Sequence, residues 1–207
     1  MNEFLKSINF RHACKLFNGQ RIPKETFTEI LEVGRLAPSS FGVEPTRMVV
    51  VQSKEAKEAL KPLCWNQEQI TTASEVVIYK TLIKDIIPKS AYLDSQVQRK
   101  TQNTEILEGF YNALQGHLKA RGYLSTENIF HWGALQTYIM ATYMVAYASY
   151  LGIDTCYIEG FDKEKVEKYL NLDTTKEQVA LVLCFGYRAK EQQPRFRLKL
   201  DEIIEYK

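Results

Sequence analysis

IFHWGALQTYIMATYMVAYASYL, residues 129–151, is the stretch whose reading decides the class of this protein. A helix that spans a bilayer needs about 20 mostly apolar residues with few polar interruptions. This stretch carries His131, Gln136, Thr137, Thr142 and Ser149, along with Tyr138, Tyr143, Tyr147 and Tyr150. A helix that is apolar nearly all round can also be the central buried helix of a soluble fold, and the polar interruptions favour that reading. Gly152 stands where a C′ residue belongs and closes the helix.

Downstream, residues 154–158 read as a strand, 163–170 as a short amphipathic helix and 178–187 as a further strand. Upstream, Val76, Val77 and Ile78 lie at the heart of a strand over 75–81. A β-branched run makes 47–52 a buried strand, and Ser53 offers an N-cap to the helix after it. Residues 23–37 predict a helix, because Phe27, Ile30, Leu31 and Gly34 share one face. Pro38 stops it, and Ser39-Ser40-Phe41-Gly42 forms a loop. Residues 84–122 are polar and helix-leaning, an excursion between core elements. The extension 192–207 is basic and apolar, with no helix of its own before about Asp201. No repeat, low-complexity run or linker divides the chain. The pattern predicts one α+β domain over 1–207, with a sheet of four or more strands on the buried helix.

Composition narrows the function. The hydrophobic fraction is 45% and the charged fraction 25%, ordinary values for a globular protein. Twelve Tyr and ten Phe argue against disorder. With 27 basic and 25 acidic residues, the chain has no overall field for nucleic acid. The first ten residues have no uninterrupted apolar segment, so no signal peptide is read. Cys14, Cys64, Cys156 and Cys184 are far apart and form no C-x-x-C pair. They read as reduced thiols of a cytoplasmic protein, with neither a disulfide framework nor a metal site. Dinucleotide, P-loop, zincin and hydrolase motifs are missing, so the chemistry is expected to come from a cofactor.

Four segments carry a family resemblance. Arg11-His12-Ala13-Cys14-Lys15-Leu16-Phe17 gathers three basic side chains suited to a phosphate and a polar ring edge. Ala37-Pro38-Ser39-Ser40 is followed by Phe41-Gly42-Val43-Glu44-Pro45-Thr46. Tyr157-Ile158-Glu159-Gly160-Phe161-Asp162 follows a strand, and Gly160 permits close backbone approach to a planar ring. Arg195-Phe196-Arg197 sets two cations at i and i+2, on one side of an extended segment. In this order and spacing the chain resembles the nitroreductase family, and its E-G-F-D turn and Trp132-x-x-x-Gln136-x-Tyr138 are similar to the enteric-type, oxygen-insensitive subgroup.

The resemblance implies a nitroreductase-like fold, with a central mixed sheet on a long buried helix and an intertwined homodimer. It implies FMN as cofactor and NAD(P)H as co-substrate. Arg11, Arg195 and Arg197 would meet the phosphate, with His12 and Ala13 beside them and Lys15 at the N1–O2 side of the flavin. Tyr157, Ile158, Glu159 and Gly160 would line the ring, amides of the Glu159–Gly160 turn facing N5 and O4. Pro38, Ser39 and Ser40 would reach the flavin of the partner subunit. Asn66 fits the family's pyrimidine-edge Asn, whereas Gln69 stands where a Lys is usual. Phe41 and Tyr111 are candidates for the substrate pocket. Lys15, Glu159 and Gly160 would carry catalysis, in which hydride passes from NAD(P)H through flavin N5 to a small electron acceptor such as a nitroaromatic or quinone. A specialised flavin reductase or dehalogenase, or a non-catalytic FMN-binding module, is the alternative. Glu44 and Thr46 depart from the family's Gln and Trp.

Overall fold

The computed structural model describes residues 2–207. In chain order the elements are α1 (Glu3–Phe10), α2 (Lys24–Arg35), β1 (Thr46–Val51), α3 (Lys54–Leu60), α4 (Gln69–Thr72) and β2 (Glu75–Leu82). Then come α5 (Ala91–Gln98), α6 (Thr104–Ala120), α7 (Thr126–Tyr150), β3 (Asp154–Ile158), α8 (Lys163–Tyr169) and β4 (Glu177–Gly186). The excursion over 84–122 thus contains α5 and α6, and the C-terminal extension holds only a 3-10 turn at Leu200–Glu202.

The strands stand in the order β1-β2-β4-β3, and all three pairs are antiparallel. After β2 the chain runs through α5, α6 and α7 to the far edge, leaving the central slot to β4. The mixed character expected of the sheet is confined, among the described residues, to the isolated parallel bridge Ala13–Thr155 on the outer side of β3.

Alternation along the strands supplies both faces of the core. Val76, Ile78, Val182 and Cys184 face one way, into a cluster with Leu60, Ile70 and Val166 from α3, α4 and α8. Val77, Tyr79, Leu181, Leu183 and Phe185 face the other way, onto Phe27 and Ile30 of α2 and Ala141, Met144 and Val145 of α7. A register shift opposite Tyr79/Lys80 reverses this parity, so Val179 falls in the first cluster although Leu181 is in the second. A third cluster joins α5, α6 and the first half of α7 through Leu93, Leu114, Leu118 and Trp132.

The buried polar residues of α7 have partners, which is how a helix of this composition is buried in a globular core. Gln136 Oε1 accepts from Ser40 N at 2.8 Å, and Thr137 Oγ1 meets Thr46 Oγ1 at 3.1 Å. Thr142 and Ser149 donate to carbonyls four residues back. Gly133 lies so close to Thr81 that an added Cβ would sit 2.2 Å from its Oγ1. Among the described residues no helix is long and apolar enough to cross a membrane.

Candidate functional site

The site begins where α1 ends. Asn2 caps α1 by accepting from Leu5 N, and the chain leaves the helix at Arg11 in extended conformation. Residues 13–18 are laid along strand edges: Cys14 N donates to Thr155 O at 3.0 Å, Ala189 N to Leu16 O at 3.0 Å, and Asn18 N to Tyr187 O at 2.8 Å. Extended backbone alternates its side chains, so Cys14 and Lys15 part company. Cys14 goes into the core, where burial pushes its thiol up to about 11. Lys15 points toward the middle of β3, its Nζ 3.6 Å from Cys156 Sγ.

This segment and residues 190–197 enclose a cleft of about 590 Å³. Arg11, Lys15, Arg195 and Arg197 line it, and among the described residues none of the four has an ion pair. Arg195 donates to Asn9 O at 3.2 Å and Arg197 to Phe196 O at 2.7 Å, backbone acceptors that leave the positive charge uncompensated. Burial, then the neighbouring charges of Arg11 and Arg197, hold the Arg195 guanidinium below the usual arginine range. Lys190 and the single acid Glu191 complete the charged lining, and this excess of like charge favours an anion between them.

The next wall is the turn after β3. Gln67 Nε2 donates to Gly160 O at 2.8 Å, and Gln69 Nε2 to Gln67 Oε1 at 2.8 Å. Trp65 and Asn66 both adopt left-handed backbone, with φ of 53° and 54°, a conformation that costs a non-glycine residue energy. It lays the Trp65 ring on Gly160: a Cβ there would fall 2.6 Å from Trp65 Cε3. Asn66 is exposed and Gln69 buried. Glu159 Oε1 accepts from Tyr138 Oη at 2.5 Å, and the Tyr138 and Tyr157 rings stack 6.3 Å apart, 3° from parallel. The Ile158 side chain is in the first core cluster, so only its backbone is available to the site. Cys156 lies under this wall; burial pushes its thiol up, against the pull of Lys15. The thiol therefore stays protonated, and Lys15 keeps an uncompensated charge.

The structure brings Arg11, His12, Ala13, Lys15, Arg195 and Arg197 to one cleft, and Tyr157, Glu159, Gly160 and Gln69 to its flank. It does not bring Pro38, Ser39, Ser40, Phe41 or Tyr111 there within one chain. Pro38 and Ser39 border a separate pocket with Thr46, Gln136 and Met140. Ser39 Oγ accepts from Glu44 N at 3.0 Å. Phe41, with φ of 55°, packs against Phe110 and His117. Tyr111, expected over the substrate pocket, lies in the third core cluster with its hydroxyl on Asp94. There its ring packs edge-on to Phe110, in a cluster that joins the excursion to Val43 and to Trp132 of α7. Trp65, Gln67 and Arg188 were missed by the sequence reading. A Trp directly before the Asn66 candidate was the available signal for the first; Arg188 had none locally.

The family model described as the nitroreductase family matches residues 8–187. The chain belongs to the nitroreductase family. A relative from Staphylococcus haemolyticus that bears an NAD(P)H nitroreductase name is 34% identical over 98% of this chain and 96% of its own length. Another from Staphylococcus epidermidis, named likewise, is 36% identical over 100% and 98%. A solved Staphylococcus epidermidis structure titled as an NAD(P)H:FMN oxidoreductase superposes with a TM-score of 0.81 at 28% identity, covering 100% of this chain and 96% of that one. The matched span of this nitroreductase-family chain holds the basic N-terminal segment and the E-G-F-D turn. Arg195 and Arg197 lie beyond it.

Proposed function

We propose that this protein is an FMN-dependent NAD(P)H oxidoreductase that reduces nitroaromatics or quinones as small-molecule acceptors. The observation that carries the reading is the cleft between residues 11–16 and 190–197, where Arg11, Lys15, Arg195 and Arg197, none in an ion pair among the described residues, stand with Lys190 against the single acid Glu191. Such a cleft fits a phosphate monoester, and a turn whose Gly160 lets the Trp65 ring lie directly against the backbone suits the neighbourhood of a flat isoalloxazine.

In this reading Arg11, Arg195 and Arg197 hold the phosphate. Lys15, with Asn66 and Gln69, serves the polar edge of the ring, and residues 157–160 line its face. FMN bound there would supply the hydride chemistry that links NAD(P)H to the acceptor. The chain's own part is to orient the ring, to keep Lys15 charged beside the developing negative charge, and to fix the Glu159–Gly160 turn through Tyr138. No side-chain acid or base is assigned to the hydride step.

A second copy of the chain completes the reading. Within one chain Pro38, Ser39, Ser40 and Phe41 lie apart from the cleft. Leu135, Ile139, Tyr143 and Tyr150 form an exposed apolar row along α7. Phe196, 85% exposed, leads a tail of uncovered apolar residues. A homodimer joined through α7 and the tail covers these surfaces. Four free, buried thiols suit a reducing cytoplasm.

The test is the absorbance spectrum of the purified protein together with NAD(P)H oxidation in the presence of a nitroarene or quinone. Flavin bands and acceptor-dependent turnover are expected. A colourless protein that takes up no FMN would overturn the reading, and a flavin-loaded protein that leaves NAD(P)H untouched would reduce it to a binding module.

A further inference from the structure

We propose that Arg188 and Asp154 act as a positioning pair for the phosphate-binding cations. The proposal rests on the FMN reading above and extends it to two residues outside the cleft lining. Asp154 is 2% exposed at the first position of β3. Its carboxylate accepts from Arg188 N at 2.9 Å, from Nε at 3.0 Å to each oxygen, and from Nη2 at 2.6 Å. The guanidinium charge is thus matched by Asp154 and is not offered to the cleft.

The rest of the guanidinium's contacts explain what it does. Nη2 donates to Phe10 O at 3.1 Å, and the cation lies over the Phe10 ring, 4.0 Å from its centroid. Phe10 is the last residue of α1 and the one before Arg11. On the other side of Arg11, His12 Nδ1 lies 3.3 Å from Asp154 Oδ1. Arg11 therefore follows a residue held by the buried pair and precedes one that lies close to it without a hydrogen bond. Without the pair the exit from α1 is left to the backbone bonds from Arg11 N to Ser7 O and from Cys14 N to Thr155 O, and the direction in which Arg11 leaves the backbone is less closely fixed. A planar fork makes these contacts at once, which an ammonium cannot.

Titration of FMN and of riboflavin into the flavin-stripped full chain, followed by flavin fluorescence, tests this. Riboflavin lacks only the phosphate. Wild type is expected to bind FMN more tightly than riboflavin. In Asp154→Asn and Arg188→Lys, FMN binding should weaken about tenfold or more, the scale of a misplaced charge-assisted bond. Riboflavin binding should hold, so the preference collapses. Phe10→Leu, which removes the ring beneath the guanidinium without unpairing a buried charge, should shift the preference the same way in a chain that still folds. A preference retained in all three variants, or equal weakening of both ligands, would overturn the proposal and leave the pair a purely structural staple. A wild type without preference for FMN would instead overturn the phosphate reading and take this inference with it.

Discussion

Lys15 Nζ and Cys156 Sγ lie 3.6 Å apart across 141 residues of chain. A thiol is a weak acceptor and stays neutral here, so the contact steers the ammonium without cancelling its charge. Gln69, 3.9 Å from the same sulfur, brings an amide where a second cation would be expected from the resemblance. One lysine therefore carries the positive charge on this side of the site.

Lys15→Gln should slow flavin reduction by NAD(P)H by about 10²-fold, the scale seen when one preorganised partner of developing charge is removed. FMN affinity should fall only modestly, because the arginines are untouched. Single-turnover bleaching of the flavin-loaded variant decides it, and an unchanged rate would assign the charge to another residue.

Arg11→Ala and Arg197→Ala should each weaken FMN binding by about 1.5–3 kcal/mol, the worth of a charge-assisted hydrogen bond. Retention of FMN through dialysis is the simplest check. A double variant that holds FMN as wild type does would mean that the cleft binds something else.

Gly160→Ala places a methyl 2.6 Å from Trp65 Cε3. Trp65 is exposed, so its ring can swing away and the melting temperature should move little. The displaced ring and the new methyl should close the approach to the turn, and FMN binding should drop at least tenfold. Indole fluorescence reports the same event from the other side. Addition of FMN should quench it in wild type and quench it less in the variant.

His12 should make the protein more sensitive to acid. Burial and the Arg188 charge hold it below the usual histidine range, against the pull of Asp154. The unfolded chain then binds a proton that the folded one refuses, so stability falls as pH drops through the ordinary histidine range. Melting temperatures of wild type and His12→Gln across that range should converge on the acid side. A parallel pair of curves would assign the acid sensitivity elsewhere.

Much of this could be read from the sequence. The five residues of β3 are the five expected, since a β-branched and apolar run between Gly152 and Gly160 has no freedom in its limits. Helix α7 begins at Thr126, capped by Ser125, because its first turn is polar and carries no periodic signal. Helix α1 was not foreseen for a related reason. Phe4 and Leu5 remain more than half exposed, so its pattern points to no core. The contacts missed are those made by residues that only the fold brings together. Trp65 meets Gly160 through a doubly left-handed turn, and Arg188 meets Asp154 because two strand ends coincide at the sheet edge. Neither periodicity nor spacing encodes such meetings.

The bond from Arg188 to Phe10 spans 178 residues, which sets an order of events during translation. Cys14 and Phe17, buried in the finished protein, leave the ribosome long before their partners on β3 and around residue 188. At about 5–20 residues per second the nascent segment waits roughly 10–35 s for them. Contacts this distant also slow the search once synthesis ends. Cofactor capture thus belongs to the completed polypeptide, and nascent chains stalled before residue 188 should carry a folded helix but no anion cleft.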